Sequence, residues 1–285
     1  MFKNVLVPIS SEFYNKEVLR RAVFLADKFK SSITLIYIIE KKAMDQADKV
    51  SEGYLSDFEM SETKKQMMKE QVKTAGSIIF DDAKNYFKEK NIKFEEKILR
   101  GEFSNSIKIE LENKNYTLIL MGFEKECLLK YRLLDDVEIP VWIVEKNEGN
   151  TILAVCSNLA PNQKVPDISI KLSKALDLKL HMLYIIDTED SVQVDEEGVR
   201  SDKKLERDLL LTGQKFVEEM KSKGIEIELV KGNLENETAK AAENVNARLV
   251  VVGREQKQKG ILGLPVKHVK KRIAEKCDYS ILFIN

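Results

Sequence analysis

The sequence predicts an α/β protein of two tandem domains, each an open, doubly wound parallel sheet of five strands with helices on both faces. The chain has 285 residues, which suits two domains of about 100–200 residues each. Short apolar segments rich in Ile, Leu and Val alternate with segments of helical spacing, the pattern of parallel strands buried on both faces. Strand-like landmarks of the first half also recur in the second half in the same order, which indicates a duplicated domain.

The first two strand candidates of each half show the duplication most directly. Residues 5–10 (VLVPIS) resemble residues 152–157 (ILAVCS), and residues 33–40 (ITLIYIIE) resemble residues 180–187 (LHMLYIID). Both pairs lie at the same offset of 147 residues. Strands, and the segments between them, therefore have matching lengths at the start of each half.

The later landmarks complete the repeat and place the boundaries. Residues 113–124 resemble residues 244–255 at an offset of 131, which Gly101 and Gly232 share. The fifth strand candidates are PVWIV, ending at Val144, and SILFI, ending at Ile284. We therefore expect a first domain over residues 1–146 and a second over residues 150–285, joined by a short polar linker.

Helical spacing between the strands supports the same fold. One face of a predicted helix in the first half carries Val18, Ala22, Leu25, Ala26 and Phe29. One face of a predicted helix in the second half carries Ile168, Leu172, Ala175 and Leu176. Strand–helix–strand alternation of this kind gives right-handed crossovers. In such sheets, ligands bind outside the carboxyl ends of the strands. The expected sites are the loops that follow four strand ends: Val7, Met121, Val155 and Val252.

An insertion distinguishes the first half from the second. The first half is longer by 16 residues between its second and third strands. The extra residues fall within about residues 41–73, a polar segment that contains several methionines. One interpretation is a lid or a partner-binding arm, and the other is a solvated helix and loop.

Composition excludes several classes of protein. The 47 Lys and Arg residues balance the 47 Asp and Glu residues, which argues against a protein that coats nucleic acid or an acidic membrane. The sequence contains no apolar run near the roughly 20 residues that span a bilayer, and its start lacks a signal-peptide layout. We therefore expect a cytoplasmic protein. Cys127, Cys156 and Cys277 are too far apart to predict a disulfide framework or a CxxC metal site.

The two repeats resemble the universal stress protein family. The landmarks that carry the resemblance are the first strand VLVPIS, the Tyr-containing second strand, a fourth strand that ends in glycine, and the fifth strands PVWIV and SILFI. The resemblance covers nearly the whole chain. It implies two tandem Rossmann-like domains of the adenine nucleotide alpha hydrolase-like type, with a role in stress response.

Members of that family that bind ATP carry G-x2-G-x9-G-(S/T) after the fourth strand and an Asp at the end of the first. In the second half, Gly253, Gly260 and Gly263 lead into a predicted helix. Gln256 stands where the second glycine belongs. Serine replaces the Asp, and the first half lacks the glycine loop altogether. The first domain is therefore expected to have a degenerate site and the second a partly retained one.

The resemblance implies a nucleotide site in the second domain, for ATP or AMP with Mg²⁺. Its phosphates would lie on the glycine loop, where backbone amides and a helix N-terminus favour anions, its ribose near Ser157 and its base near Ile185. The complete predicted set is Ser157, Ile185, Gly253, Gly260, Gly263, Lys267 and His268. The other interpretation is a vestigial loop followed by a solvated basic helix face.

No catalytic residue and no metal site emerges from the remaining motifs. The sequence has two histidines, His181 and His268, and neither is paired in sequence with another zinc ligand. P-loop, GxGxxG and GxSxG motifs are absent from the sequence. Cys156 ends a first strand beside the expected cleft, and it is interpreted as either a reactive thiol or a buried structural one.

Three functional hypotheses follow. The first is a non-catalytic stress-response or regulatory protein that acts through an unidentified protein partner. The second is an adenine-nucleotide switch or slow ATPase, and the third is a binder of another anion or metabolite. The fifth strands are expected to lie at sheet edges, whose unpaired backbone groups need a partner. In one alternative, the two halves pair with each other and the chain is a pseudo-two-fold monomer. In the other alternative, the chain forms a homodimer.

Overall fold

The structure is a computed structural model of the chain. It describes residues 1–10, 14–40, 77–122, 133–134, 137–197, 199–254 and 279–284. Contacts divide the chain into two compact units, Met1–Leu133 and Leu134–Asn285. The predicted insertion at residues 41–73 lies outside the described residues.

The first unit alternates strands and helices along the chain. Its described elements are β1 Asn4–Ile9, α1 Lys16–Phe29, β2 Ser32–Glu40, α2 at residues 77–89, β3 Phe94–Gly101, α3 Phe103–Asn113 and β4 Leu118–Gly122. These strands pair in the order β3-β2-β1-β4, and every pair is parallel. The pairing is that of a doubly wound sheet, with β1 at the centre.

Helix α1 shows why the sequence forms these elements. The side chain of Asn15 accepts a hydrogen bond from the backbone N–H of Glu17 at 2.8 Å, which caps the helix start. The helix ends at Lys30, which adopts the left-handed conformation with φ of 55°. Its buried side chains are Val18, Leu19, Ala22 and Leu25, whereas Ala26 and Phe29 of the predicted apolar face are only partly buried.

The second unit has the same alternation, and its described elements include two more strands than those of the first unit. Its described elements are β5 Val141–Val144, β6 Thr151–Ser157, α4 Lys164–Leu176, β7 Lys179–Ile186, α5 Glu206–Ser222, β8 Glu228–Lys231, α6 Leu234–Asn244, β9 Ala247–Gly253 and β10 Ser280–Ile284. The strands from β6 to β10 pair in the parallel order β10-β9-β6-β7-β8. Every residue of β6 is buried, as expected for a central strand.

Strand β5, the fifth strand candidate of the first half, pairs antiparallel with β10, the fifth strand candidate of the second half, with Trp142 opposite Leu282. The hydroxyl of Ser280 also accepts a hydrogen bond from the N–H of Glu145 at 3.0 Å. An apolar edge strand such as β10 requires a partner for its backbone groups, and β5 supplies it within the second unit.

The predicted fold class is confirmed. The chain forms an α/β structure of two repeated parts, with mostly parallel strands buried beneath helices. Among the described residues, no helix is long and apolar enough to cross a membrane.

Candidate functional site

The candidate site of the second unit lies at the carboxyl ends of β6, β7 and β9. Ser157 ends β6 and pairs in register with Ile185 of β7. Gly253 ends β9, which runs alongside β6 on its other side. The structure therefore brings these predicted site residues to one edge of one sheet, where doubly wound folds bind ligands.

Ser157 is fully buried, and the loop that follows it bonds to its polar groups. The N–H of Ser157 donates to Oδ1 of Asn162 at 2.9 Å, and Nδ2 of Asn162 donates to the carbonyl oxygen of Ser157 at 3.0 Å. The Ser157 hydroxyl accepts a hydrogen bond from the N–H of Leu159 at 3.2 Å. Asn162 thus closes the loop back onto the strand end.

The same loop presses against the end of β9. A Cβ atom added at Gly253 would lie 1.9 Å from the carbonyl oxygen of Pro161. The φ angle of Gly253 is outside the left-handed region, so lack of space, and not backbone strain, accounts for glycine at this position. In the structure, the close approach that this glycine permits is taken by the protein's own loop.

Asn158 and Asp187 join the loop to the end of β7. The Asn158 amide donates to the carbonyl oxygens of Asp187 and Val192, at 3.1 and 2.7 Å, and its Oδ1 accepts from the N–H of Asp187 at 2.7 Å. Both side chains are buried, where fully satisfied polar groups hold a single conformation. Sequence reasoning missed this pair, although an Asn or Asp just after a buried strand is a recognisable signal.

The Asp187 carboxylate also fixes the start of α6. Its Oδ1 accepts from the N–H groups of Glu189 and Asp190, and its Oδ2 accepts from the N–H of Leu234 at 2.8 Å. A carboxylate at a helix N-terminus is favoured by the unpaired N–H groups and the helix dipole. Asp187 therefore positions backbone segments and needs no ligand to account for its burial.

Arg254 directly follows Gly253 at the end of β9, and its guanidinium contacts the chain's own backbone. The side chain is buried. It donates to the carbonyl oxygens of Leu134, Val137 and Ile139 at 3.0, 2.6 and 3.0 Å. The planar fork of arginine suits this multiple contact. Arg254 thereby anchors the segment that leads into β5.

In the first unit, the corresponding strand ends are those of β1 and β4, and fewer of the residues around them lie within the described part of the chain. Ser10, at the end of β1, is fully buried, and the residues directly after it are outside the described part of the chain. A Cβ added at Gly122, the end of β4, would lie 3.0 Å from the Cβ of Asn15. The neighbouring helix start therefore fills the space next to this glycine.

The sequence model of the universal stress protein family matches residues 1–144 and residues 150–285. The chain belongs to the universal stress protein family. Because the family model matches both halves, this is a tandem universal stress protein, and its family places it among stress-response proteins. A comparison with curated proteins finds no match.

Two solved structures illustrate the fold that this universal stress protein shares. One is a protein of Pseudomonas aeruginosa UCBPP-PA14 described as a universal stress protein, 12% identical, with a TM-score of 0.67 over 99% of this chain and 93% of that chain. The other is a universal stress protein from Archaeoglobus fulgidus DSM 4304, 14% identical, with a TM-score of 0.62 over 98% of this chain and 95% of that chain. At these identities the likeness concerns the fold.

The predicted nucleotide site of this universal stress protein is only partly within the described residues. Ser157, Ile185 and Gly253 lie together at the sheet edge, and both Ser157 and Ile185 are fully buried. Gly260, Gly263, Lys267 and His268 lie outside the described residues. The nucleotide site therefore stays a prediction.

No group of metal-ligating side chains is found in the described parts of this universal stress protein. His181 lies on β7, with its Nε2 3.6 Å from a carboxylate oxygen of Glu228. The imidazole is partly exposed.

Cys156 is fully buried in β6, and burial raises the pKa of its thiol. Because the thiolate is the reactive form, we expect Cys156 to resist iodoacetamide at pH 8 in the folded protein and to react after unfolding. The measurement is peptide mass spectrometry in a Cys127→Ser/Cys277→Ser variant, in which Cys156 is the remaining thiol. Labelling at equal rates with and without denaturant would contradict the burial and favour a reactive thiol.

Proposed function

We propose that this universal stress protein acts without catalysis, as a regulatory protein that binds a protein partner. We also propose that its second unit does not hold an adenine nucleotide in the manner that the family resemblance implies. The observation that carries this proposal is the closure of the strand-end cleft by residues 158–162.

The residues predicted to contact a nucleotide are already engaged by this loop. The N–H, carbonyl and hydroxyl groups of Ser157 have protein partners, and Gly253 abuts the carbonyl of Pro161. A ribose or phosphate at this edge would have to break the Asn162 hydrogen bonds and displace Pro161. Desolvated polar groups left without partners by such a change cost about 1–3 kcal/mol each.

Arg254 supports the same conclusion through charge. It is the first basic residue after β9 and directly follows Gly253. Its guanidinium is bound to backbone carbonyls before β5. Neutralising a phosphate with this side chain would release that segment.

The start of α5 supports a role in protein binding. Leu205, Leu210 and Leu211 are exposed at the helix start, although α5 buries other apolar side chains against the sheet. Clustered exposed apolar side chains mark interaction surfaces more often than isolated ones do. We therefore take this part of α5 as the surface that meets the partner.

The nucleotide half of the proposal is tested with the freshly purified full chain. We expect the supernatant of denatured protein to contain no stoichiometric ATP, ADP or AMP by mass spectrometry. We also expect no rise in melting temperature on adding ATP with Mg²⁺. Gly263→Asp would place a negative charge at the predicted phosphate site, and Gly224→Asp is the control at a distant turn. Neither variant should differ from the other in its content of bound nucleotide or in the effect of ATP on its melting temperature. Bound nucleotide that Gly263→Asp removes and Gly224→Asp retains would overturn the proposal in favour of a nucleotide switch.

The partner half is tested by affinity capture from an extract of the source organism. The wild type and a Leu210→Gln/Leu211→Gln variant are compared with a control variant on the same helix, Lys215→Gln/Glu218→Gln. We expect one protein to be retained by the wild type and the control, and to be lost with the leucine variant. Identical captured proteins for all three would contradict the assignment of this surface.

A further inference from the structure

A cavity of about 660 Å³ lies in the second unit, beside the loop that follows β6. It is lined by the loop after β6, by the turn at residues 193–197, by β7 and by α5. Ser157, Ile185 and Gly253 are not among its lining residues. Its volume falls within the roughly 300–1,000 Å³ of small-molecule sites.

Aromatic and apolar side chains form one part of the lining. Tyr184 of β7 and Phe216 of α5 both line the cavity, with ring centroids 5.3 Å apart. Met220, one turn further along α5, adds a buried apolar surface. Gly213 makes room for the tyrosine, because a Cβ there would lie 3.0 Å from Cε1 of Tyr184.

The hydroxyl of Tyr184 is a polar group without a protein partner at this cavity. Only 1% of the residue is exposed, and burial raises the pKa of the phenol. No hydrogen bond to this hydroxyl is found in the part of the chain that the structure describes. Since buried tyrosine hydroxyls normally have a partner, this one is placed to bond to a molecule in the cavity.

Negative charge dominates the opposite part of the lining. Asp195, Glu196 and Glu197 are consecutive, exposed and part of the lining. Glu196 and Glu197 form no ion pair within the described residues. The lysine in the lining, Lys223, donates to Glu219 at 2.6 Å, so its charge is balanced locally. An anionic ligand would meet uncompensated carboxylates, whereas a cation would be attracted.

We propose that this cavity binds a small organic amine that carries an apolar body and a second polar group. The ammonium faces the exposed carboxylates of residues 195–197, the apolar body lies against Phe216 and Met220, and the second polar group bonds to the Tyr184 hydroxyl. The buried position of Tyr184 and the exposed position of the carboxylates require a ligand that is polar at both ends. A ring next to Phe216 adds favourable stacking.

Three probes of similar size test the proposal by isothermal titration calorimetry on the full-length protein. Tyramine has the amine, the ring and the hydroxyl, 4-ethylphenol lacks the amine, and 4-hydroxyphenylacetate carries a carboxylate in its place. We expect tyramine to bind up to about fivefold more tightly than 4-ethylphenol, which corresponds to about 1 kcal/mol for one paired charge near a protein surface. The carboxylate probe should bind most weakly. Equal affinity for the three probes, or no tyramine binding at about 10 mM, would overturn the proposal.

Matched variants locate the binding. Tyr184→Phe removes only the hydroxyl and should weaken tyramine binding about 5- to 10-fold. Glu196→Gln/Glu197→Gln should weaken it by a similar factor and reduce its dependence on salt. The control Glu226→Gln/Glu228→Gln removes two carboxylates that do not line this cavity, and it should bind as the wild type does. Unchanged binding in both test variants would overturn the assignment, and the fluorescence of Trp142 verifies that each variant is folded.

The cavity shares Asn158 and Asn162 with the loop that closes the strand-end cleft, but its lining includes neither Ser157, Ile185 and Gly253 nor the exposed leucines of α5. Binding of tyramine and binding of a nucleotide are measured separately, so failure of one proposal is distinguishable from failure of the other.

Discussion

Replacing Gly253 with alanine is expected to destabilise the second unit by about 3 kcal/mol, near the upper end of the usual cost of overpacking. The added Cβ would lie 1.9 Å from the carbonyl oxygen of Pro161, far inside van der Waals contact. Backbone oxygen atoms cannot rotate away as side chains do. The loop at residues 158–162 would have to withdraw, and the Asn162 hydrogen bonds to Ser157 would be strained or lost.

The measurement is urea unfolding followed by the fluorescence of Trp142. This is the single tryptophan of the sequence, and it is fully buried in the second unit, so its signal reports on that unit. Gly224→Ala is the control, because Gly224 has a φ of +73° but no heavy atom within 4 Å of an added Cβ. The control is expected to cost about 1 kcal/mol for backbone strain alone.

The comparison also bears on function. If Gly253→Ala costs no more than Gly224→Ala, the loop after β6 withdraws easily, and the strand-end cleft can open. Such a result would contradict the closure on which the proposed function rests. It would favour the nucleotide switch.

Replacing Arg254 with methionine is expected to destabilise the second unit by about 3 kcal/mol or more, since polar groups left buried without a partner cost about 1–3 kcal/mol each. The guanidinium donates to the carbonyl oxygens of Leu134, Val137 and Ile139. Methionine fills similar space but donates no hydrogen bond. Removing the guanidinium therefore frees the segment that positions β5 against β10.

Two further variants distinguish the contribution of the planar guanidinium of Arg254 to stability from the contribution of its positive charge. Arg254→Lys keeps the positive charge but lacks the planar fork, so it should recover only part of the lost stability. Arg207→Met removes a guanidinium from a side chain that is 78% exposed, and should change the stability by less than about 0.5 kcal/mol. Trp142 fluorescence gives the stability of the second unit in each variant.

Hydrogen exchange adds a local readout for the same variants. We expect the amides of β5, at Val141–Val144, to exchange faster in Arg254→Met than in the wild type, because the preceding segment has lost its anchor. If Arg254→Met has the same exchange rates at β5 and the same stability as the wild type, the carbonyl groups of Leu134, Val137 and Ile139 have found other hydrogen-bond donors in the variant. In that case Arg254 would be available to other partners.

If both glycine and arginine variants behave as expected, the second unit has converted its strand-end cleft into packed structure. Ser157 and Gly253 would then serve loop closure, and Arg254 would serve to anchor β5. The cavity at Tyr184, with its buried hydroxyl and exposed carboxylates, would remain as a separate place for a small molecule. This division agrees with a universal stress protein that binds a partner and responds to a ligand outside the strand-end cleft.

The sequence by itself determined the duplicated α/β architecture and the family. Strands such as β6 and helices such as α1 have local periodicities that are readable without tertiary contacts, and their repetition at constant offsets indicates the duplication. The position of Ser157, Ile185 and Gly253 at one sheet edge also follows from strand order, because parallel strands end at the same edge.

Only the tertiary structure decided how those residues are used. The sequence predicts Gly253 to be a glycine of a phosphate loop. In the structure, the carbonyl oxygen of Pro161, which is distant along the chain, leaves no space for a side chain at this position. Arg254 directly follows Gly253 and is interpreted from sequence as a loop cation, but its guanidinium binds backbone carbonyls of the segment before β5. Likewise, the sequence predicts Tyr184 to be an ordinary strand residue, and only the tertiary structure shows that it lines a cavity. Periodicity records which side of an element is buried, whereas a contact between distant segments depends on where the fold brings them.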